Sequence, residues 1–371
     1  MAIRSSDQAV GYGLAVGTPN IRSAGPIAFG PESILLLADS VGATIFAIAV
    51  EALPATRATS LDVERLDERL AAWLGCPVED VDIRDMAVDP GTQGVYLSVT
   101  RGRGDGAIPL VVRVDSDELT EVPLRDVPFA QAPIEDAPAD GDERKDIRVL
   151  RDDEPGGQPY DARGTLLQLV REPLRSITVT DIGYLDGTVI VAGASNEEFT
   201  STLRQIPFPF RGDARSSTLE IFHVSHGKWE THSPIRNFVA YGDDMSVLAS
   251  YTCTPIVRFS LDDLRGTRQA RGHTVAELGA MNTPLGMVAY RRDGEEYLLV
   301  SNSRHELYRL SRRDLDGQEA LTTPHEPVGA PRQALPHEGV GRMAVLNDEH
   351  VLMLQRIDGH VDLHSYSTAS L

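Results

Sequence analysis

The stretch SYTCTPIVRF places Cys253 between two threonines, at the end of an apolar run and two residues before Pro255. A cysteine there could act as a nucleophile or metal ligand if a nearby base or cation keeps it as thiolate. Tyr251 and Thr252 bring no charge, and His305 is the nearest base by its place in the repeating pattern described below. A small turn residue packed against a neighbouring element explains the position without chemistry, and is the reading preferred for Cys253. A second cluster, HVSHGKWETH, offers His223, His226 and His232, a residue type that ligates zinc. Its alternation predicts a hairpin with His223 and His232 on strands and His226 in the turn, so a structural role is expected for all three. GYGLAVG lacks the third glycine of a dinucleotide loop and any βαβ context, and the RGD tripeptides at 103–105 and 211–213 are too short to carry meaning.

Composition narrows the partners. With 35 Lys and Arg against 55 Asp and Glu, the formal charge is −20, which argues against nucleic acid or an anionic membrane surface as partner. Lys145 and Lys228 are the only lysines, so positive charge is almost all arginine, suited to bidentate contact with carboxylate or phosphate. Two cysteines, Cys76 and Cys253, imply no disulfide scaffold. No stretch approaches the roughly 20 apolar residues that span a bilayer, and the expected setting is bacterial cytoplasm.

The elements that must position these residues recur along the chain. AGPIAFGPESILLLADSVGATIFAIAV at 24–50 is followed by IRDMAVDPGTQGVYLSVT at 83, SITVTDIGYLDGTVIVAG at 176, IRNFVAYGDDMSVLASYT at 235, PLGMVAYRRDGEEYLLVSN at 284 and VGRMAVLNDEHVLMLQR at 340. Each copy has a short apolar strand, a turn, and a stronger apolar strand ending in small polar residues. Strand pairs repeated this way, with room for two more strands in each interval, predict an all-β single-domain β-propeller over 1–371. Six blades are expected, or seven if strands lie at 146–150 and 164–171. The run 8–16 is expected to complete the last blade.

Three stretches interrupt the pattern. LDVERLDERLAAWL at 61–74 predicts a helix capped by Thr59 or Ser60 and ended by Gly75, beside the first blade. Residues 127–163 are acidic and rich in Pro and Gly, and predict a surface loop. At 195–215 a helical insertion on the rim is expected, from the Ser195 and Glu198 capping spacing and Phe199, Leu203 and Ile206 at i, i+4 and i+7. The outer strands of that blade would then be 217–224 and 228–233.

VAGASNEEFTSTLRQIPFPF, IFHVSHGKWETHSPIRNFV, SYTCTPIVRF, HTVAELGAMNTPLGMVAY and LLVSNSRHELYRL together resemble bacterial β-propeller proteins of unassigned activity. More broadly the chain resembles NHL-repeat, gluconolactonase-like and streptogramin-lyase-like propellers. That resemblance implies a site at the centre of one face, where the enzymes of the group hold metal ligands or acid–base residues. No complete ligand set of theirs can be matched here.

Loops on that face would gather Arg84, Asp181, Asn196, Glu197, Arg236, Asn282, Asn302, Arg304 and Arg342 as ligand-binding residues, together with Arg22, Asp85 and Arg101. His305, Cys253 and Glu277 are the catalytic candidates, and His305, His337 and Asp181 the metal candidates, with Glu277 and Asn282 as further ligands. The expected function is binding of a small anionic ligand or a partner peptide on the central face. The alternative is a metal-assisted lyase or hydrolase on the same face, and no cofactor is expected beyond the divalent metal of that alternative. A competing expectation is that the rim arginines pair with Asp39, Asp85, Asp181 and Glu197 and lock neighbouring blades; alanine at Arg236 and Arg342 separates binding from locking.

Overall fold

A computed structural model describes residues 11–50, 60–116, 118–142, 144, 173–241, 246–251, 255–279, 282–324 and 328–371. Six sheets stand around a common centre as the blades of a propeller, antiparallel except where Gln269–Arg271 runs parallel to Arg215–His223. Their inner strands are Ile27–Phe29, Val81–Val88, Asp181–Leu185, Ile235–Tyr241, Pro284–Arg292 and Val340–Asn347, and the blades are numbered here in that chain order. The middle strands read ILLLAD, TIFAIA or TVIVAGA and are buried almost throughout, because each blade packs between two others and has no solvent face. Separate apolar clusters fill the wedges between neighbouring blades.

The spatial order of the blades departs from their chain order. The first blade's inner strand packs against the third blade's on one side and the second blade's on the other. From the third blade the ring runs through the fourth, fifth and sixth, and the sixth packs against the second. The second blade is therefore inserted between the first blade's strands Thr44–Ala49 and Val127–Pro133, which pair with each other. Six inner strands close the circle and leave no place for a seventh blade. The proposed strands at 146–150 and 164–171 lie outside the described residues.

Closure uses a segment that the repeat pattern did not reveal. The sixth blade has three strands, and Val63 bridges to Leu363 on its outer edge through two main-chain hydrogen bonds of 2.8 and 2.9 Å. Beside that bridge Ser365 Oγ donates to Leu61 O at 2.7 Å, and Asp62 Oδ1 accepts from Ser365 N at 2.9 Å. Helix α1 (Leu66–Leu74) follows, packing on the sixth and second blades rather than beside the first. Arg65, not Ser60, sits at its N-cap without a side-chain cap, while Gly75 ends it at φ 66 as expected. The N-terminal strand Ala15–Gly17 pairs with Val127–Pro133 on the first blade, not with the last blade.

Two further expectations are corrected. Residues 201–207 form the third strand of the third blade, paired with Thr188–Ala194, and Arg215–His223 is the fourth, so no helical insertion occupies 195–215. The third blade's outermost hairpin strand is Lys228–Glu230. Of the predicted acidic loop, Val127–Pro133 is a strand, and 145–163 lies outside the described residues. The other α-helices among the described residues, α2 (Leu261–Gly266) and α3 (Arg312–Gly317), each start at a serine whose hydroxyl caps the first turn. Among the described residues, no helix is long and apolar enough to cross a membrane.

If the Val63 bridge closes the ring, Val63→Pro removes the amide donated to Leu363 O and leaves a buried carbonyl unmatched, at a cost of about 1–3 kcal/mol. Urea denaturation should show a lower midpoint, and an unchanged midpoint would place the closure elsewhere.

Candidate functional site

Four of the six inner strands carry a β-bulge near their start, between Ile83/Asp85, Ile235/Asn237, Pro284/Gly286 and Val340/Met343. A bulge re-aims the side chain beside it. Aligning the strands on these bulges puts Asp85, Asn237, Gly286 and Arg342 at one position of the repeat, with Asp181 equivalent in the third blade. The register recurs in the contacts: in the second, third and fourth blades this residue reaches the inner strand of the next blade around the ring. Asp181 Oδ2 accepts from Phe238 N at 2.7 Å, Asp85 Oδ2 from Ile27 N at 2.9 Å, and Asn237 Nδ2 donates to Pro284 O at 3.2 Å. Gly286 fits the same scheme by absence, because a Cβ there would sit 2.9 Å from Gly341 O.

Arg342 spans the centre. Its Nη1 donates to Asn237 Oδ1 at 3.0 Å and to Leu285 O at 2.8 Å, linking the sixth blade to the fourth and fifth. Asp85 and Asp181 face the same centre, where each is half-buried. Burial raises the Asp85 pKa, with Arg342 and two backbone amides opposing. Asp181 is pushed up to about 7, first by burial and then by the Asp85 charge, against the amides of Phe238 and Ile182 and the pull of Arg342. Two carboxylates share one guanidinium whose Nη1 is committed to Asn237 and Leu285, so each carboxyl is harder to ionise than a free one.

The other expected site residues are spread around the face. Arg84 pairs with Asp82 at 2.9 Å. Arg236 is half-buried at its bulge. Asn196 and Glu197 are exposed on the loop after Thr188–Ala194, where Glu197 O accepts from Arg144 at 2.7 Å. Asn282 is fully buried; it donates to Asn302 Oδ1 at 2.8 Å and accepts from Arg304 N at 3.1 Å, so these residues brace the 302–307 loop. Asn302 also donates to Glu306 O at 2.9 Å. In this structure both asparagines spend these groups on bracing the loop. Asp39 accepts from Arg22 N and Ser23 Oγ, so main chain and hydroxyl, not an arginine side chain, hold it.

The catalytic and metal candidates do not converge. His305 has one edge exposed and stacks on Tyr308 with centroids 5.9 Å apart; partial burial is the main reason its pKa is lowered. His337 packs on Tyr366 at 4.6 Å and is lowered by burial. Glu277 is fully buried on an outer strand, 3.9 Å from His223 Nε2. Asp181, His305 and His337 do not bring their ligand atoms within 4.8 Å of one another in this structure. Cys253 falls outside the described residues. Among the described residues, the one group of three side chains placed to hold a metal is His223, His226 and Glu230, whose donor atoms lie within 4.8 Å of one another. His223 and His226 thus come together, contrary to expectation, with Glu230 in place of the exposed His232.

No protein-family model matches the chain, and no curated protein matches it in sequence. Solved structures of similar fold are β-propellers. They include the β-propeller domain of Cps50 (Swd1) from Myceliophteria thermophila, at 11% identity over 93% of this chain and 84% of that one, with a TM-score of 0.38. Streptogramin B lyase matches at 10% identity over 96% and 97% of the two chains, TM-score 0.34. The PQQ-bound aldose sugar dehydrogenase of Streptomyces coelicolor matches at 10% identity over 95% and 98%, TM-score 0.34. These likenesses describe the architecture, and the neighbours differ among themselves in function.

Asp181 sets a testable pH dependence. The folded chain holds its proton between the ordinary value of 3.8 and about 7, where the unfolded chain has released it. Stability from this group is therefore fully present below the unfolded value and is lost as pH rises through about 7. Asp181→Asn keeps an acceptor for Phe238 N, so the Tm should rise by about 2 °C or more at pH 8 and change little at pH 4. An equal loss at both pH values would show that ionisation of Asp181 carries no cost. Arg342→Ala should lower the Tm at every pH, because Asn237 and Leu285 lose a shared donor.

Proposed function

We propose that this propeller is a binding module whose central face takes a cationic or hydrogen-bond-donating group, such as the amine or guanidinium of a peptide or small molecule. The observation that carries this reading is the Asp85 and Asp181 pair at the centre, sharing one arginine whose Nη1 donates to Asn237 and Leu285. A small anionic ligand, expected from the arginine-rich composition, is disfavoured there. Arg84 is engaged by Asp82, Arg342 bridges blades, and the net charge of −20 repels anions over the whole surface. A second reading follows from the Asp181 pKa of about 7, which suits a general base working near neutral pH; the enzyme would then be a lyase or hydrolase acting through proton transfer at the same face.

Calorimetric titration with short peptides carrying a central Lys, Arg or Glu, at pH 7.5 and low salt, tests the reading. The Lys or Arg peptide should bind, Asp181→Asn and Asp85→Asn should each weaken it about tenfold, about 1.4 kcal/mol, and affinity should fall as pH drops below about 7 and Asp181 takes its proton. Preferential binding of the Glu peptide, unaffected by both substitutions, would overturn it.

A further inference from the structure

The third blade's outer hairpin builds a cluster away from the central channel. Arg215–His223 ends at His223, the turn Val224–Gly227 closes with Gly227 N donating to Val224 O at 3.1 Å, and Lys228–Glu230 returns alongside. Gly227 adopts φ 62, which the tight reversal requires and which glycine reaches without strain. The turn folds His226 back over His223, with ring centroids 4.0 Å apart. Both Nδ1 atoms then face one carboxylate: His223 Nδ1 is 2.9 Å from Glu230 Oε2, and His226 Nδ1 is 2.7 Å from Glu230 Oε1.

We propose that His223 Nδ1, His226 Nδ1 and Glu230 form a binding site for a divalent cation of the zinc class, with a fourth position open to solvent. The donor set is the mixture of imidazole and carboxylate that zinc favours, and its ligand atoms, all within 4.8 Å of one another, need only small adjustment. Zinc bonds of about 2.0–2.2 Å in a tetrahedron place ligand atoms roughly 3.3–3.5 Å apart. The surroundings orient the buried imidazole. His223 Nε2 lies 2.9 Å from Ser225 Oγ, with Glu277 Oε2 at 3.9 Å, so when a metal displaces the proton at Nδ1 the far nitrogen has a hydroxyl acceptor for its own. Acceptors behind a histidine are the support that fixes a metal ligand's tautomer and raises its basicity.

Glu277 belongs to the fourth blade, on the strand His273–Glu277, so the site lies where the outer strands of the third and fourth blades meet. The side chain of His226 is 47% exposed, which gives a metal an entry path. Lys228 Nζ lies 3.4 Å from Glu230 Oε1 and must swing away; its side chain is 65% exposed and free to do so.

The test uses zinc and cobalt(II) as probes on full-length protein freed of metal by chelator. One equivalent of zinc should bind in calorimetry and raise the Tm, and cobalt(II) should show the intense visible absorption of a tetrahedral nitrogen and oxygen site. His226→Ala, at an exposed side chain that folding does not need, should weaken zinc binding at least tenfold, and Glu230→Gln should do the same. His232→Ala, an exposed histidine outside the cluster, should leave affinity unchanged. Absence of stoichiometric zinc binding would overturn the proposal, as would zinc affinity that survives both His226→Ala and Glu230→Gln.

Discussion

The constraint on which the rest of the structure depends is the convergence of six inner strands on one narrow axis. Strands that close together bury main-chain groups that the neighbouring sheet cannot pair, and a buried amide or carbonyl without a partner costs about 1–3 kcal/mol. The chain answers with side chains that cross from blade to blade. Asp85 takes Ile27 N, Asp181 takes Phe238 N, Arg342 gives to Leu285 O, and Ser301 Oγ donates to Gly341 O at 2.7 Å. Thr180 and Thr274 donate to Ile235 O and Phe222 O in the same way. The bulges follow from this demand, because a residue that must face the axis rather than its own sheet needs a break in the pleat.

The ring closes in a way that distributes the chain ends and its interruptions. An ordinary sequential propeller would close where its first and last blades meet. Here the second blade fills the gap between the sixth and the first, so the closing contacts are the bridge of Val63 to Leu363 and helix α1 behind it. The first blade is then divided across the insertion, with Val127–Pro133 returning to pair with Thr44–Ala49. A blade inserted at this point ties residues that are some hundreds apart in sequence. Such contacts carry a large loop-closure entropy, which suggests a slow search for the closed ring during folding.

Much of the architecture was legible because each blade announces itself locally. The strand pairs beginning at 83, 235, 284 and 340 are strands in the structure, and the turn residues Asp186, Gly187, Asp293 and Gly294 adopt the positive φ that such hairpins need. Blade order was not legible, since local alternation identifies a unit and says nothing of its neighbour. Residues 201–207 were misread for a physical reason: STLRQIP is buried on both faces and so shows no alternation. Its polar residues survive burial because Arg204 is matched by Asp136 at 2.7 Å and by the carbonyls of Thr178 and Ala194. At the centre, Asp181 and Arg342 were anticipated as site residues, whereas Asn237 was missed. Aligning IRD, IRN, PLG and VGR at the bulges would have found it as the third residue of each repeat.

The central position can now be understood as doing two jobs that conflict. Where the repeat has Asn237 or Gly286, the position satisfies its neighbour at no electrostatic cost. Where it has Asp85 and Asp181, the same hydrogen bonds are made by charges that lie close enough to repel, with a single guanidinium between them. An asparagine could accept from Phe238 N or Ile27 N as well, so blade locking alone does not explain two carboxylates there. A destabilising arrangement held at the centre is what pre-organised binding or proton transfer requires, because the field that penalises the empty face is the field that rewards an incoming cation or a departing proton. The crowding of two carboxyls at the centre is therefore the feature of this propeller that blade locking leaves unexplained and a bound group would account for.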